Sequence, residues 1–303
     1  MRIIALCITF VYRGINIGFY YLFSMNTSIK TFLFSIDLED IRLRLSNPND
    51  YKERVPTNTH RYLTWLKKHN FKCTFFVTGD VAVLYPSLIN EIVSEGHEIA
   101  CHTNNHLPLD KQTQDEFKKD LESNISVLQR AGAKQIEGFR APIFSVSPKT
   151  KWVYDVLAEL DFKYSCSVLP AKNPFYGWEG FGFQPKMMND KIVEIPLTMG
   201  KFGPLVIPAV GGVYFRTLPL MSIKNITRRC IKNNVPVIGY FHPYDIDWEQ
   251  ERYMNPGIND SIFYNFLMYY NRKNVFNRLD RIISQGFNVC TYSSFLKENP
   301  FQG

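Results

Sequence analysis

The chain has 303 residues, 45% hydrophobic and 21% charged, which is enough apolar material for a full core and excludes a disordered or fibrous protein. The net charge is +7, but the basic residues are scattered, and the one modest cluster, Arg272-Lys273 to Arg281, reads as the outer face of a helix. No nucleic-acid partner is therefore expected. Cys7, Cys73, Cys101, Cys166, Cys230 and Cys290 are widely spaced without a CxxC pair, so nothing suggests a secreted disulfide framework and a reducing compartment is favoured.

Residues 1–27 form an apolar extension, Ile3 to Tyr12 and Ile15 to Phe23, interrupted by Arg13, which breaks what would otherwise be a spanning run. The only basic residue ahead of it is Arg2, and no small-x-small cleavage site follows. It is read as a weakly membrane-associating segment or, with Met25 as the true start, as a gene-model extension. The expected location is cytoplasmic, with export left open. A single domain is assigned to residues 28–303.

From Thr31 onward, short β-rich runs alternate with helical spacing. Thr31 to Asp37 reads as a buried strand ending in acid, Asn58 to His69 as a helix, Lys72 to Thr78 as a strand, and Tyr85 to Glu95 as a helix stopped by Gly96. A strand over Glu98 to Cys101 leads into His102. Then follow a helix over Gln114 to Ala131, a strand over Gln135 to Phe139, a helix over Pro148 to Leu160 and a strand over Lys163 to Val168. Pro170 to Lys191, rich in Gly, Pro and aromatics, reads as a loop over the top of the fold. Strands Ile192 to Leu197 and Val213 to Arg216, a helix over Pro219 to Asn233, a strand over Val235 to Phe241, one long helix over Ser261 to Gln285 and a strand over Gly286 to Cys290 complete the chain.

Repeated β-α units suit either a TIM-like barrel or an open doubly wound sheet. Asp37, His102, Arg140 and His242 each fall at or just past the end of a different strand, the barrel arrangement, and no Gly-rich phosphate-binding turn is present. The expected fold class is α/β, a distorted TIM-like (β/α) barrel.

His102 and His106 stand four apart after a short strand, a spacing at which a helical turn would aim both imidazoles at one divalent ion. A catalytic site of this kind takes a third ligand, often a carboxylate. Asp37, Glu39 and Asp40 crowd three acids into four residues, and such crowding demands a cation or an arginine. His97 reads as a structural hydrogen-bonding residue, and His60 and His69 as surface-helix residues. Ser145 and Ser147 lack a nucleophile elbow.

Together, Ser35-Ile-Asp37-Leu-Glu39-Asp40, His102-Thr-Asn-Asn-His106, Gly138-Phe-Arg140-Ala-Pro142 and Tyr240-Phe-His242-Pro243 resemble, in order, the motifs of the polysaccharide deacetylase or NodB-homology family. The likeness runs from Thr31 to the C-terminus. Gly211 to Pro219 and Phe241 to Asp247 are similar to the branch found in exopolysaccharide and surface-glycan clusters. The resemblance implies a metal-dependent hydrolase that removes N-acetyl groups from an N-acetylated glycan or glycolipid. It makes Asp37 the general base, His242 the general acid and Arg140 the residue that orients the base. His102 and His106 become metal ligands, joined by one of two acids, with Glu39 ranked ahead of Asp40. The expected cofactor is one divalent ion, Zn2+ first, with Co2+, Ni2+ or Fe2+ as alternatives. The alternatives in function are a deformylase or deacylase of a lipid-linked amino sugar, or a glycan-binding homologue that has lost turnover.

One departure motivates the last alternative. Ser165 stands where the family's fourth motif has an acid that helps position the catalytic histidine, which would pass that task to Asp245, Asp247 or a water. Phe175, Tyr176, Trp178, Phe181 and Phe183 suit a sugar-stacking rim or a hydrophobic plug equally.

Overall fold

The computed structural model describes residues 6–12, 15–21, 30–173, 176–203 and 205–301. Strands β1 (Leu6–Tyr12) and β2 (Ile15–Tyr21) pair antiparallel as a sheet of their own. The rest of the 1–27 extension, Met25 included, and its boundary with residue 28 lie outside the described residues. Among the described residues, no helix is long and apolar enough to cross a membrane.

The body runs β3 (Thr31–Leu38), α1 (Val55–Lys68), β4 (Thr74–Val77), α2 (Gly79–Leu84), α3 (Pro86–Ser94), β5 (Glu98–Cys101), α4 (Gln114–Arg130), β6 (Gly138–Phe139), α5 (Val153–Glu159) and β7 (Tyr164–Ser165). It continues through β8 (Lys186–Met188), β9 (Ile192–Glu194), β10 (Met199–Phe202), β11 (Leu205–Pro208), α6 (Gly212–Thr217), α7 (Leu220–Lys232), β12 (Val237–Phe241), α8 (Ile262–Tyr269), α9 (Val275–Ile283), β13 (Asn288–Cys290) and α10 (Tyr292–Glu298). The main sheet has the order β12-β3-β4-β5-β6-β7-β9-β8, with β13 also on β3, and every pairing is parallel except β8 with β9.

Strand β3 is central and buried on both faces. Phe32, Phe34, Ile36 and Leu38 point to the outer layer, where they join a core with Tyr62, Leu66, Leu279 and Ile282 of the helices. Leu33 belongs instead to the inner core with Phe76, Ala100, Tyr164, Ile238 and Tyr292. The strand period of two puts Ser35 and Asp37 on that same inner face. Strand β12 pairs with Phe32–Ile36 along one edge of β3, while β4 takes Ser35–Leu38 and β13 takes Thr31–Leu33 on the other. The outer edge of β12 is met by the segment after β9: Ile238 N donates to Thr198 Oγ1 (2.8 Å) and Tyr240 N to Val210 O (3.2 Å). The result is a curled sheet of the distorted TIM-like barrel type, its strands aiming their C-terminal ends at one face.

Several sequence expectations are corrected. Val213 to Arg216 is not a strand but lies in helix α6, which begins at Gly212, a glycine with φ +48°. The long helix expected over Ser261 to Gln285 is two, α8 and α9, because Tyr270 turns extended (φ −63°, ψ 134°) and Asn271 after it is left-handed (φ 59°), which breaks the α-helical run. The Pro170 to Lys191 excursion contains β8. Of its aromatics, Phe181 is buried, edge-on to Trp178 and under the Lys186 ammonium, Tyr176 donates its hydroxyl to Asp110 Oδ1 (2.7 Å), and Phe183 is exposed. Phe175 lies outside the described residues. Of the cysteines, Cys73, Cys101, Cys166, Cys230 and Cys290 are free thiols.

Candidate active site

The two histidines do not lie on a helical turn. Residues 102–106 form a loop in which Thr103 (φ 65°) and His106 (φ 54°) are left-handed, a path that a helix cannot take. The loop is held from α4: Asp120 accepts from Asn104 N (2.6 Å), Asn105 N (3.1 Å) and Asn105 Nδ2 (2.7 Å), and Asn124 Nδ2 donates to Thr103 O (2.9 Å). A Thr113–Glu116 capping box starts α4 and fixes its register. Gly79 packs against the loop from the other side, donating its N–H to Thr103 O (3.2 Å).

This path brings His102, His106 and Glu39 together, with one potential ligand atom from each lying within 4.8 Å of the others. His106 Nε2 is 3.0 Å from Glu39 Oε2. His102 donates Nδ1–H to the Arg140 carbonyl oxygen (2.8 Å), which leaves Nε2 as its free donor atom. Burial, which outweighs the pull of Asp37, pushes the His102 pKa down to about 4, so the ring is neutral, as a ligand must be. Two imidazoles and one carboxylate match the donor set of a divalent ion with an open position. Asp40 is not in this cluster. It caps the 3-10 turn Ile41–Arg44, accepting from Arg42 N (3.0 Å), Nε (3.2 Å) and Nη2 (3.1 Å). Alternation from Asp37 carries Glu39, not Asp40, to the inner side.

Asp37 lies beside the cluster and is bound by the Arg140 guanidinium. Arg140 is fully buried, and its other contacts are to Ser35 Oγ (2.9 Å), Cys166 O (3.2 Å), Cys166 Sγ (3.2 Å) and Tyr292 OH (2.9 Å), with the guanidinium 3.9 Å above the Phe76 ring. Burial works to neutralise Asp37, but Arg140 and the neighbouring histidines outweigh it and hold the carboxyl below its ordinary range.

His242 follows β12, its Nε2 3.8 Å from both Asp37 Oδ2 and Glu39 Oε1. Its Nδ1 bonds Asp245 Oδ2 (2.9 Å), and Asp245 in turn accepts from His242 N (2.8 Å) and Arg216 Nε (3.0 Å). Burial opposes charge on the ring, yet Asp245, Glu39 and Asp37 outweigh it, so the His242 pKa is raised. Asp247 is engaged elsewhere, by Arg54 Nε (2.6 Å) and Asn58 Nδ2 (2.9 Å). Ser165 Oγ bonds Ser167 Oγ (2.8 Å), and the acid paired across from it, Glu194, accepts Ser167 N (2.7 Å) and Val168 N (2.9 Å), so it serves the backbone below Arg140.

His97 is the structural residue its sequence context suggests: Nδ1 accepts from Cys73 N (3.3 Å). Sequence reasoning missed the contacts of Ser35, Tyr292 and Glu194. Ser35 carried a signal, because alternation places it one step below Asp37. Tyr292 had none, as it enters from the C-terminal helix α10.

The C-terminal face of a curled parallel sheet thus carries a buried Asp–Arg pair, a His-His-Glu cluster and an Asp-held histidine, an arrangement similar to that of the NodB-homology polysaccharide deacetylases. Comparison with known families agrees. Residues 48–165 match the polysaccharide deacetylase family, and residues 166–297 match a family described as a domain of unknown function (DUF3473). The peptidoglycan-N-acetylglucosamine deacetylase of Bacillus cereus is 33% identical over 95 residues, covering 31% of this chain and 34% of that protein. The enzyme of the same description from Listeria monocytogenes is 37% identical over 71 residues, covering 23% and 15%. The chain thus spans about a third or less of these curated relatives. In fold it is similar to a candidate polysaccharide deacetylase from Mycobacterium smegmatis, with a TM-score of 0.60 at 17% identity over 91% of this chain and 92% of that one.

Proposed function

We propose that this chain is a metal-dependent N-deacetylase that hydrolyses the acetamide of an N-acetylated sugar and releases acetate during surface-glycan biosynthesis. The observation that carries this reading is the convergence of Asp37 and His242, 3.8 Å apart, on the Glu39, His102 and His106 cluster. An amide is a poor electrophile and its amine a poor leaving group, so hydrolysis needs a base, an acid and a Lewis acid at one carbon.

Glu39, His102 and His106 would hold the ion. When bound, it polarises the acyl oxygen and brings the pKa of a water from about 16 toward 7. Asp37, kept ionised by Arg140, takes the proton of the attacking water. His242, its Nε2 turned toward the site and its Nδ1 held by Asp245, donates a proton to the departing nitrogen. The relatives' printed substrate, N-acetylglucosamine in peptidoglycan, supports an N-acetylated amino sugar, and the Gly211 to Pro219 and Phe241 to Asp247 motifs support the surface-glycan setting.

The test is acetate release from N-acetylglucosamine oligomers by protein stripped with chelator and reloaded with Zn2+, Co2+, Ni2+ or Fe2+. Restored release supports the proposal. Stoichiometric metal binding without acetate or formate release from any N-acylated glycan would overturn it in favour of a binding protein.

A further inference from the structure

Asp245, which holds the ring of His242, is itself held by an arginine that does a second task. The Arg216 guanidinium, on α6, is 1% exposed. Its Nε donates to Asp245 Oδ1 (3.0 Å), while its Nη1 donates to three carbonyl oxygens at the C-terminal end of α8: Leu267 (3.2 Å), Met268 (3.0 Å) and Tyr270 (2.8 Å). The last carbonyls of a helix lack intrahelical partners and carry the negative end of its dipole, so a buried cation there satisfies both needs.

Helix α8 depends on such ties. It buries no side chain of its own, and Ile262, Phe263, Tyr264 and Phe266 are all exposed, Ile262 at 82%. It is joined to the loop before it by Asn265, which accepts from Asn255 N (3.0 Å) and donates to Tyr253 O (3.1 Å), and by Tyr269. With little packing to seat it, its position is set by polar contacts, and the most buried of them is the cation that also holds Asp245.

We propose that Arg216 is a positioning residue that couples the seating of α8 to the orientation of His242, through Asp245. This deepens the deacetylase reading and rests on it for its kinetic consequence. Removing the guanidinium leaves the Asp245 carboxylate buried against His242 without its Arg216 partner and takes one donor from each of the three carbonyls, of which Met268 O keeps Arg272 Nε (2.8 Å) and Leu267 O keeps Tyr270 N (3.2 Å). The ring then loses its alignment, while the Glu39, His102 and His106 cluster, on other strands, is unchanged.

Two variants test it, Arg216→Met and Asn265→Ala, the second loosening α8 without touching Arg216 or the site. Arg216→Met is expected to lower kcat by roughly 10- to 100-fold, and Asn265→Ala by about fivefold, with KM and metal content within about twofold of wild type. Added guanidinium should restore part of the Arg216→Met loss. Independently of turnover, the imidazole 1H–15N spectrum should lose the protected His242 Nδ1–H signal in Arg216→Met and weaken it in Asn265→Ala, as the amides of 262–270 exchange faster. A wild type that hydrolyses no glycan removes the deacetylase reading, and the ring signal and amide exchange still decide the coupling. Unchanged His242 signals in Arg216→Met, or faster α8 exchange in Asn265→Ala with the ring unaffected, overturn it.

Discussion

His102 and Asp37 are aligned by the same residue: the Arg140 carbonyl oxygen accepts the Nδ1–H of His102 at 2.8 Å while the Arg140 guanidinium binds the Asp37 carboxylate. Main chain and side chain of one residue thus fix a candidate ligand and the candidate base. The two functions are separable by mutation, since only the second needs the guanidinium.

Arg140→Met should therefore leave metal content near wild type and lower kcat by at least about 100-fold. Its fully buried partner would be an unpaired charge, so stability should also fall, by about 3–5 kcal/mol. Metal analysis beside acetate-release kinetics and urea denaturation reads all three. Loss of metal in proportion to activity would place Arg140 in the ligand scaffold alone.

Glu39 and Asp40 should behave oppositely despite being neighbours. Glu39→Ala should weaken metal binding by at least about 100-fold, the loss of one of three ligands. Asp40→Asn, a cap whose oxygens serve Arg42, should cost about 1 kcal/mol of stability with metal affinity unchanged. Titration calorimetry with Zn2+ on both variants gives the comparison, and equal losses would mean that Asp40 reaches the ion.

Gly79 limits how closely the histidine loop packs. A Cβ there would lie 2.0 Å from Asn104 Oδ1 and 3.0 Å from Asn104 Cα, two residues after His102. Gly79→Ala should displace the loop and lower metal affinity by about tenfold, the scale of a lost supporting contact. The same calorimetry checks it, with circular dichroism expected to show the helices intact.

His97 should impose an acid limit on stability. Burial first, and Lys72 second, lower its pKa from the ordinary 6.5 to about 4. The unfolded chain then binds a proton between about pH 6.5 and 4 that the folded chain refuses, so stability is lost as pH falls through that window and the loss is complete below it. The full effect is about 3 kcal/mol. Denaturant midpoints for wild type and His97→Gln from pH 7.5 to 4 should converge on acidification, and parallel curves would exclude His97 as the cause.

Much of this was legible in the chain. Local periodicity and strand-end polarity placed Asp37, His102, Arg140 and His242 on one face, because alternation and strand direction are properties of short segments. The same alternation, extended by two residues, carries Glu39 inward. The αL residue Asn271 that divides α8 from α9, and the strand that proved to be α6, were not legible, because residues 213–216 are too few for any period to decide.

The sequence alone determined which residue types stand at the ends of successive strands, and hence the barrel class and the residues of the candidate site, since side-chain direction in a strand is set by its period of two. Only the tertiary structure decided how those charges pair. Asp40 went to Arg42, Asp247 to Arg54 and Asp245 to both His242 and Arg216, which is 29 residues away in the chain. A buried carboxylate must be matched by whichever donor the packing brings within about 3 Å, and that proximity is created by the closure of the sheet, which no local pattern encodes.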